Sequence, residues 1–270
     1  MSYKECELIN AADNYVFGDP NSRENSYESF FNSYCPGSNC SSDEEKIISG
    51  FIMLLNNLEN LESDKIVEYA SLWLSHKLNQ KKEIETTKLY DFYTNRIEKI
   101  DFYKGKISNA SDDRINTDLI EKKIGSMDID IKDISNFYDA FKSLCNMYSE
   151  ISEKTNNVCN KCLENAGEFF EKCEKVKNVF DITKGSSYLQ LWLSLSKDYK
   201  NFEQMYNSIW CTNGPPLVAC SRSSVTKNIL ITIAIIFVAA SILLGISYKY
   251  SLFGFRKRSQ KQHLREKLKK

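Results

Sequence analysis

From Ile229 to Tyr248 the chain reads ILITIAIIFVAASILLGISY, 20 positions without a charged residue. A helix of that length is about 30 Å long, the thickness of a bilayer's hydrocarbon core. The stretch therefore predicts a single transmembrane helix, with one large module before it and a short tail after it.

Charge is divided across this span. The tail, residues 249–270, carries nine basic residues, among them Lys249, Arg256, Lys257 and Arg258, against Glu266 alone, a net +8. The chain has 36 basic and 36 acidic residues, so the part before the tail has 27 and 35, a net −8. Short basic flanks stay on the cytosolic side of a membrane, which places the carboxyl terminus inside and the module outside. The opening MSYKECELINAADNYVFG has no basic stretch followed by an apolar run, so no secretory signal peptide is read there. A late span also suits tail-anchored insertion, with the module in the cytosol. The basic tail and the cysteines favour the first orientation.

All nine cysteines precede the span. An outside module of this kind reads as disulfide-stapled, with the odd count leaving one thiol free or paired between chains. The candidates are Cys35 with Cys40 around the Pro36-Gly37 turn, and Cys211 with Cys220 around Pro215-Pro216. Cys159 and Cys162 form a C-x-x-C read as structural, and Cys162 and Cys173, eleven positions apart, share a helix face.

Glycine and proline are scarce, 10 and 4 in 270 residues, so helices rather than sheets are expected. Apolar residues recur at helical spacing in segments 3–16, 27–34, 47–61, 66–78, 89–100, 131–151, 159–180 and 188–209. Ser41 and Ser42 ahead of Glu44 and Glu45 mark a helix start. Segment 104–130 lacks the period and reads as a solvated loop with a short helix near 119–124. The resulting class is all-α. A bundle of about seven helices fills residues 1–210, with a linker at 211–228, the transmembrane helix at 229–248 and the basic tail at 249–270.

No P-loop, G-x-G-x-x-G, H-E-x-x-H or G-x-S-x-G occurs, so neither catalysis nor a cofactor or metal is expected. His76, in WLSHKL, lacks any sign of a partner nucleophile and reads as a surface or partly buried histidine. The tail's plain role is stop-transfer. It also suits anionic lipid or a cytosolic partner, and nucleic-acid binding is not expected. Asn39 and Asn109 open sequons, which faintly favour a surface location.

The segment YKYSLFGFRKRSQKQHLREKLKK, from Tyr248 to Lys270, closely resembles the carboxyl-terminal signature of the Plasmodium interspersed repeat (PIR) proteins of rodent malaria parasites. YCPGSNCSSDEEKI from Tyr34, WLSHKLNQ from Trp73, LYDFYTNRIEKI from Leu89 and the single late span follow in the same order. The resemblance implies a membrane-anchored variant antigen exported towards the infected red cell, with an all-helical ectodomain acting in host interaction or immune evasion. It names no settled receptor. A structural or trafficking component of parasite-derived membranes is the alternative.

Overall fold

The capping signal at Ser41 to Glu45 forms in one of its two expected frames. The Ser42 hydroxyl accepts from the Glu45 backbone N–H at 3.2 Å. The Glu45 carboxylate turns back to accept from the Ser41 hydroxyl at 2.8 Å and from the Ser41 backbone N–H. Asp43, Glu44 and Glu45 add negative charge at the positive end of the helix dipole.

The structure is a computed structural model that describes residues 1–17, 28–81, 86–108, 115–152, 163–179 and 185–217. The chain divides into two units between Cys220 and Ser221, and every described residue belongs to the first. The expected span and basic tail lie outside the described residues. Among the described residues no helix is long and apolar enough to cross a membrane.

The described residues form ten α-helices: α1 Tyr3–Phe17, α2 Glu28–Asn32, α3 Asp43–Asn57, α4 Ser63–Gln80, α5 Leu89–Phe92, α6 Asp101–Ser108, α7 Thr117–Ser126, α8 Ile131–Ser152, α9 Glu164–Val179 and α10 Gly185–Met205. π-helical turns at Tyr93–Glu98 and Tyr206–Trp210 extend α5 and α10. Among the described residues, extended backbone pairs only at an isolated antiparallel bridge between Lys88 and Asp130. The first unit is thus all-helical.

Two regions depart from the sequence reading. The segment expected as one helix over 89–100 is a short α5 and a π turn, burying Leu89, Phe92, Tyr93 and Ile97 and leaving Ile100 40% exposed. The segment 104–130, expected as a solvated loop with a short helix near 119–124, contains the end of α6 and all of α7, which extends that helix to Thr117–Ser126. Ile107, Ile115, Ile120, Ile124, Met127 and Ile129 are all buried there. One isoleucine per turn between charged residues is too sparse to register as a period, yet Ile120 and Ile124, four apart, are enough to seat a two-to-three-turn helix. Asn116 caps α7 by accepting from the Leu119 N–H at 2.9 Å.

The centre of the unit is α3 and α4. In α3 every residue from Ile47 to Leu55 is buried, and in α4 every residue from Ile66 to Ser75. A helix buried all round has neighbours on every side. For α3 these are α1, α2, α4 and α6, and for α4 they are α3, α7 and α8. The helix expected to bury one face is therefore a core helix. Tyr69 of α4 meets Phe141 of α8, ring centroids 4.5 Å apart, while His76 further along α4 meets Ser135 further back on α8, so the two run antiparallel.

Where α3 crosses α4 the contact requires glycine. A Cβ on Gly50 would run into the Trp73 indole, with Cζ2 and Cζ3 at 3.1 Å and Cη2 nearer still. Trp73 is fully buried and its Nε1 is bonded, so it has no room to yield. Alanine in place of glycine inside a helix ordinarily adds about 1 kcal/mol of stability. Gly50→Ala is expected to reverse the sign and cost about 2 kcal/mol in denaturant melts, because the ring must leave its well. A stabilised variant would show that the helices part easily here.

A disulfide between Cys6 and Cys145 fastens α1 to α8 across 139 positions of sequence. A second, between Cys35 and Cys40, closes the turn after α2. Gly37 and Ser38 both take positive φ there, 64° and 59°, which glycine adopts freely.

Candidate functional site

The apolar stripe of α1, Cys6, Ile9 and Val16, has one acid set into it at position 13. Asp13 accepts from Trp73 Nε1 at 3.0 Å and from the Tyr138 hydroxyl at 2.8 and 2.9 Å. It pairs with Lys77 at 2.8 Å and with Lys142. Trp73 and Lys77 come from α4, and Tyr138 and Lys142 from α8, so one carboxylate joins three helices. Burial alone would push the Asp13 carboxyl up. The Lys142 and Lys77 ammonium groups outweigh burial and hold it below the usual carboxylate range.

A group whose pKa falls on folding stabilises the folded state above its unfolded value and loses that contribution as pH drops through its folded value. Thermal stability should therefore decline as pH falls below about 4. Asp13→Asn should flatten that decline in melts across pH 3 to 6. An unchanged slope would show that Asp13 titrates alike in both states.

His76, also on α4, is partly buried against Tyr138, ring centroids 4.5 Å apart. Ser135 and Asp139 stand beside it, the residue types of a hydrolytic triad. Their geometry is different. Both face the same ring nitrogen, Nδ1, Ser135 Oγ at 3.2 Å and Asp139 Oδ1 at 3.5 Å, while Nε2 is engaged by Gln80 at 2.9 Å. A base that activates a serine needs its nucleophile and its orienting acid on opposite nitrogens. Burial lowers the imidazole pKa despite the pull of Asp139. The cluster ties α4 to α8, and Lys175 of α9 joins it through Asp139 at 3.8 Å.

The third cluster lies at the floor of a cleft of about 330 Å³ between α4, α7 and α10. Glu68 is faced by Lys65 and Lys123, each at 3.1 Å, and Asp198 by Lys65 at 2.8 Å. Ser194 donates to Glu68. Burial would raise both carboxyls. For Glu68, Lys65, the Ser194 hydrogen bond and Lys123 together prevail and lower it, whereas for Asp198 burial prevails over Lys65 and leaves it raised. The charged residues lining the cleft are Glu62, Asp64 and Glu68 against Lys65, Lys123 and Lys197. With the signs balanced and the floor already paired, the cleft closes three helices together and offers little net field to a charged ligand.

The expected cysteine sites divide. Cys35 and Cys40 are joined. Cys211 is disulfide-bonded, and Cys159, Cys162 and Cys220 lie outside the described residues. Cys173 is not in a disulfide. It is a free thiol, 5% exposed, on the buried face of α9 that also carries Phe169, Phe170 and Val176. Helical period put it on an apolar face correctly, and that face packs in the core, where burial pushes the thiol pKa far up and leaves it unreactive. Alkylation of Cys173 in the native chain should be at least about 100-fold slower than in denaturant. Equal rates would place the thiol at the surface. Cys6 and Cys145, which no local turn signal marks, form the long-range bond. Lys249, Arg256, Lys257 and Arg258 lie outside the described residues.

The segment Cys211–Leu217, read as the start of a linker, is held to the bundle. The Cys211 N–H donates to the Tyr206 carbonyl at 2.7 Å, the Gly214 N–H to the Cys211 carbonyl at 2.9 Å, and the Tyr206 hydroxyl to the Pro215 carbonyl at 3.0 Å. Leu217 is buried.

A family model described as Plasmodium variant antigen protein Cir/Yir/Bir matches residues 6–249. The fold is similar to that in a solved structure titled "Structure of a Plasmodium PIR protein ectodomain", at 34% identity and a TM-score of 0.58, covering 80% of this chain and 98% of that one. Among curated proteins no match was found. With a family match over nearly its whole length and the all-helical, disulfide-bonded unit in place, the chain belongs to the Plasmodium Cir/Yir/Bir variant antigen family.

Proposed function

We propose that the helical unit is an ectodomain, anchored by a single span at Ile229–Tyr248 and displayed on the infected red cell, where it meets host receptors or antibodies. The observation that carries this reading is the contrast across the span. The disulfide-bonded unit, with Cys6–Cys145 and Cys35–Cys40, lies before it, and a tail of net +8 lies after it. Disulfides persist in oxidising compartments and dense cationic flanks stay cytosolic, so both support an outside position for the unit. The tail, at about 1 kcal/mol per basic residue near an anionic leaflet, lies along the inner membrane surface and is open to a cytosolic partner there.

The bundle is a carrier of surface. Its charged clusters join helices internally, so exposed positions away from these joints can be substituted with little effect on the fold. Antibodies against the helical unit, applied to infected cells without detergent, should label the surface. Labelling only after permeabilisation would assign the protein to internal parasite-derived membranes in a structural or trafficking role.

A further inference from the structure

Residues 204–221 contain no Lys, Arg, Asp or Glu, in a chain of which 27% is charged. A run of that length would ordinarily carry about five such residues. Part of this run is the carboxyl-terminal tip of the described chain, the π turn Tyr206–Trp210 and the Cys211–Leu217 segment folded against it. Ile209 at the tip is 69% exposed, while the other large apolar residues exposed among the described ones reach 40% at most. Around it Asn207, Ser208, Thr212, Asn213 and Pro216 are exposed and uncharged.

The exposure is built in. The tip is fixed by the hydrogen bonds of Tyr206, Cys211 and Gly214, by the Cys211 disulfide, and by Trp210 packed at 5.9 Å from both Tyr148 and Phe202. From Leu217 the chain has residues 218–228 before Ile229, a reach of about 40 Å at full extension, so this is the described part nearest the span along the chain. Aromatic rings, a projecting isoleucine and neutral polar groups without charge are the composition of the bilayer's headgroup zone.

We propose that this tip docks on the zwitterionic outer surface of the membrane in which the chain is anchored, with Ile209 entering the lipid and Trp210 at headgroup depth. The docking rests on the single-span reading, and its test separates the two.

The full chain, reconstituted in phosphatidylcholine vesicles, is compared with the same vesicles made with brominated phosphatidylcholine. Trp73 and Trp192 are buried in the bundle, at 0% and 7% exposure, so Trp210 is the reporter. Bromination should reduce the Trp210 contribution about twofold. The effect should vanish in Trp210→Phe and be at least halved in Ile209→Asp, with helical circular dichroism unchanged in both. Vesicle-bound chain whose emission ignores bromine would overturn the docking and leave the span intact. Emission that follows the protein-to-lipid ratio instead would assign the tip to a second copy and also overturn it. Chain that fails to float with vesicles would overturn the span and the docking together.

Discussion

Replacing Asp13 with alanine is expected to lower the stability of the helical unit by about 3–5 kcal/mol, the range for removing one partner of a buried ion pair. The loss exceeds that of any one contact because four groups depend on the same carboxylate. Trp73 Nε1 and the Tyr138 hydroxyl lose their acceptor, and Lys77 and Lys142 lose their counter-charge. Asp13→Asn keeps acceptors for Trp73 and Tyr138 and forfeits the charge, so about half the loss is expected. Combining Asp13→Ala with Lys142→Met should cost less than Asp13→Ala alone, because a half-buried ammonium left without its counter-charge is removed. Denaturant melts of the full chain in detergent measure all three. Additive losses would show that these groups act separately.

Breaking the Cys6–Cys145 bond, as Cys6→Ala with Cys145→Ala, should cost about 5 kcal/mol, the loop-closure value for a bridge across 139 positions. The same change at Cys35 and Cys40, five positions apart, should cost about 2 kcal/mol. Both cysteines of the long bridge are fully buried, whereas Cys40 is 9% exposed at a turn. Dithiothreitol should therefore open the short bridge first. Equal losses from the two double variants would mean that the ordering of the unfolded chain is not what the long bridge contributes.

Much of this fold is legible in the sequence because its core helices declare themselves by period. The stripe of Ile134, Phe137, Phe141, Leu144, Cys145 and Tyr148 returns as the buried face of α8, and Ser42 with Glu45, one of the two expected frames, returns as the cap of α3. What escaped has identifiable causes. Helix α7 is longer than the short helix expected near 119–124, because it rests on Ile120 and Ile124 and the four charged residues among its ten weaken the period around that pair. The sequence reading does not single out Asp13 or Asp198, although each stands where an apolar residue belongs. Asp13 falls between Ile9 and Val16, and Asp198 between Leu195 and Phe202, at the i, i+3, i+4, i+7 positions of a stripe. An acid in such a place, with Lys77 and Lys142 equally misplaced in theirs, is the signal that would have found the network. The Cys35–Cys40 bond followed from its turn. Cys6–Cys145 has no such local mark, since only the packing of α1 on α8 brings its sulfurs together.

The three charged clusters and the Cys6–Cys145 bridge serve the same end, joining helices that are far apart in sequence, while Cys35–Cys40 pins a turn. Asp13 links α1, α4 and α8, while Glu68 and Asp198 link α4, α7 and α10. A unit braced from within in this way can change its exposed residues with little effect on its fold, since surface substitutions away from such features usually stay within about 0.5 kcal/mol. That separation of support from surface is what a variant antigen requires.

The proposed role depends on which side of the membrane the helical unit occupies. Protease added to intact cells that display the full chain, followed by blotting for the helical unit and for the tail, tests this directly. The unit should be digested, more readily once its disulfides are reduced, while a fragment holding residues 249–270 survives until the membrane is opened. A protected helical unit with a clipped tail would contradict the orientation and, with it, the role proposed for the protein.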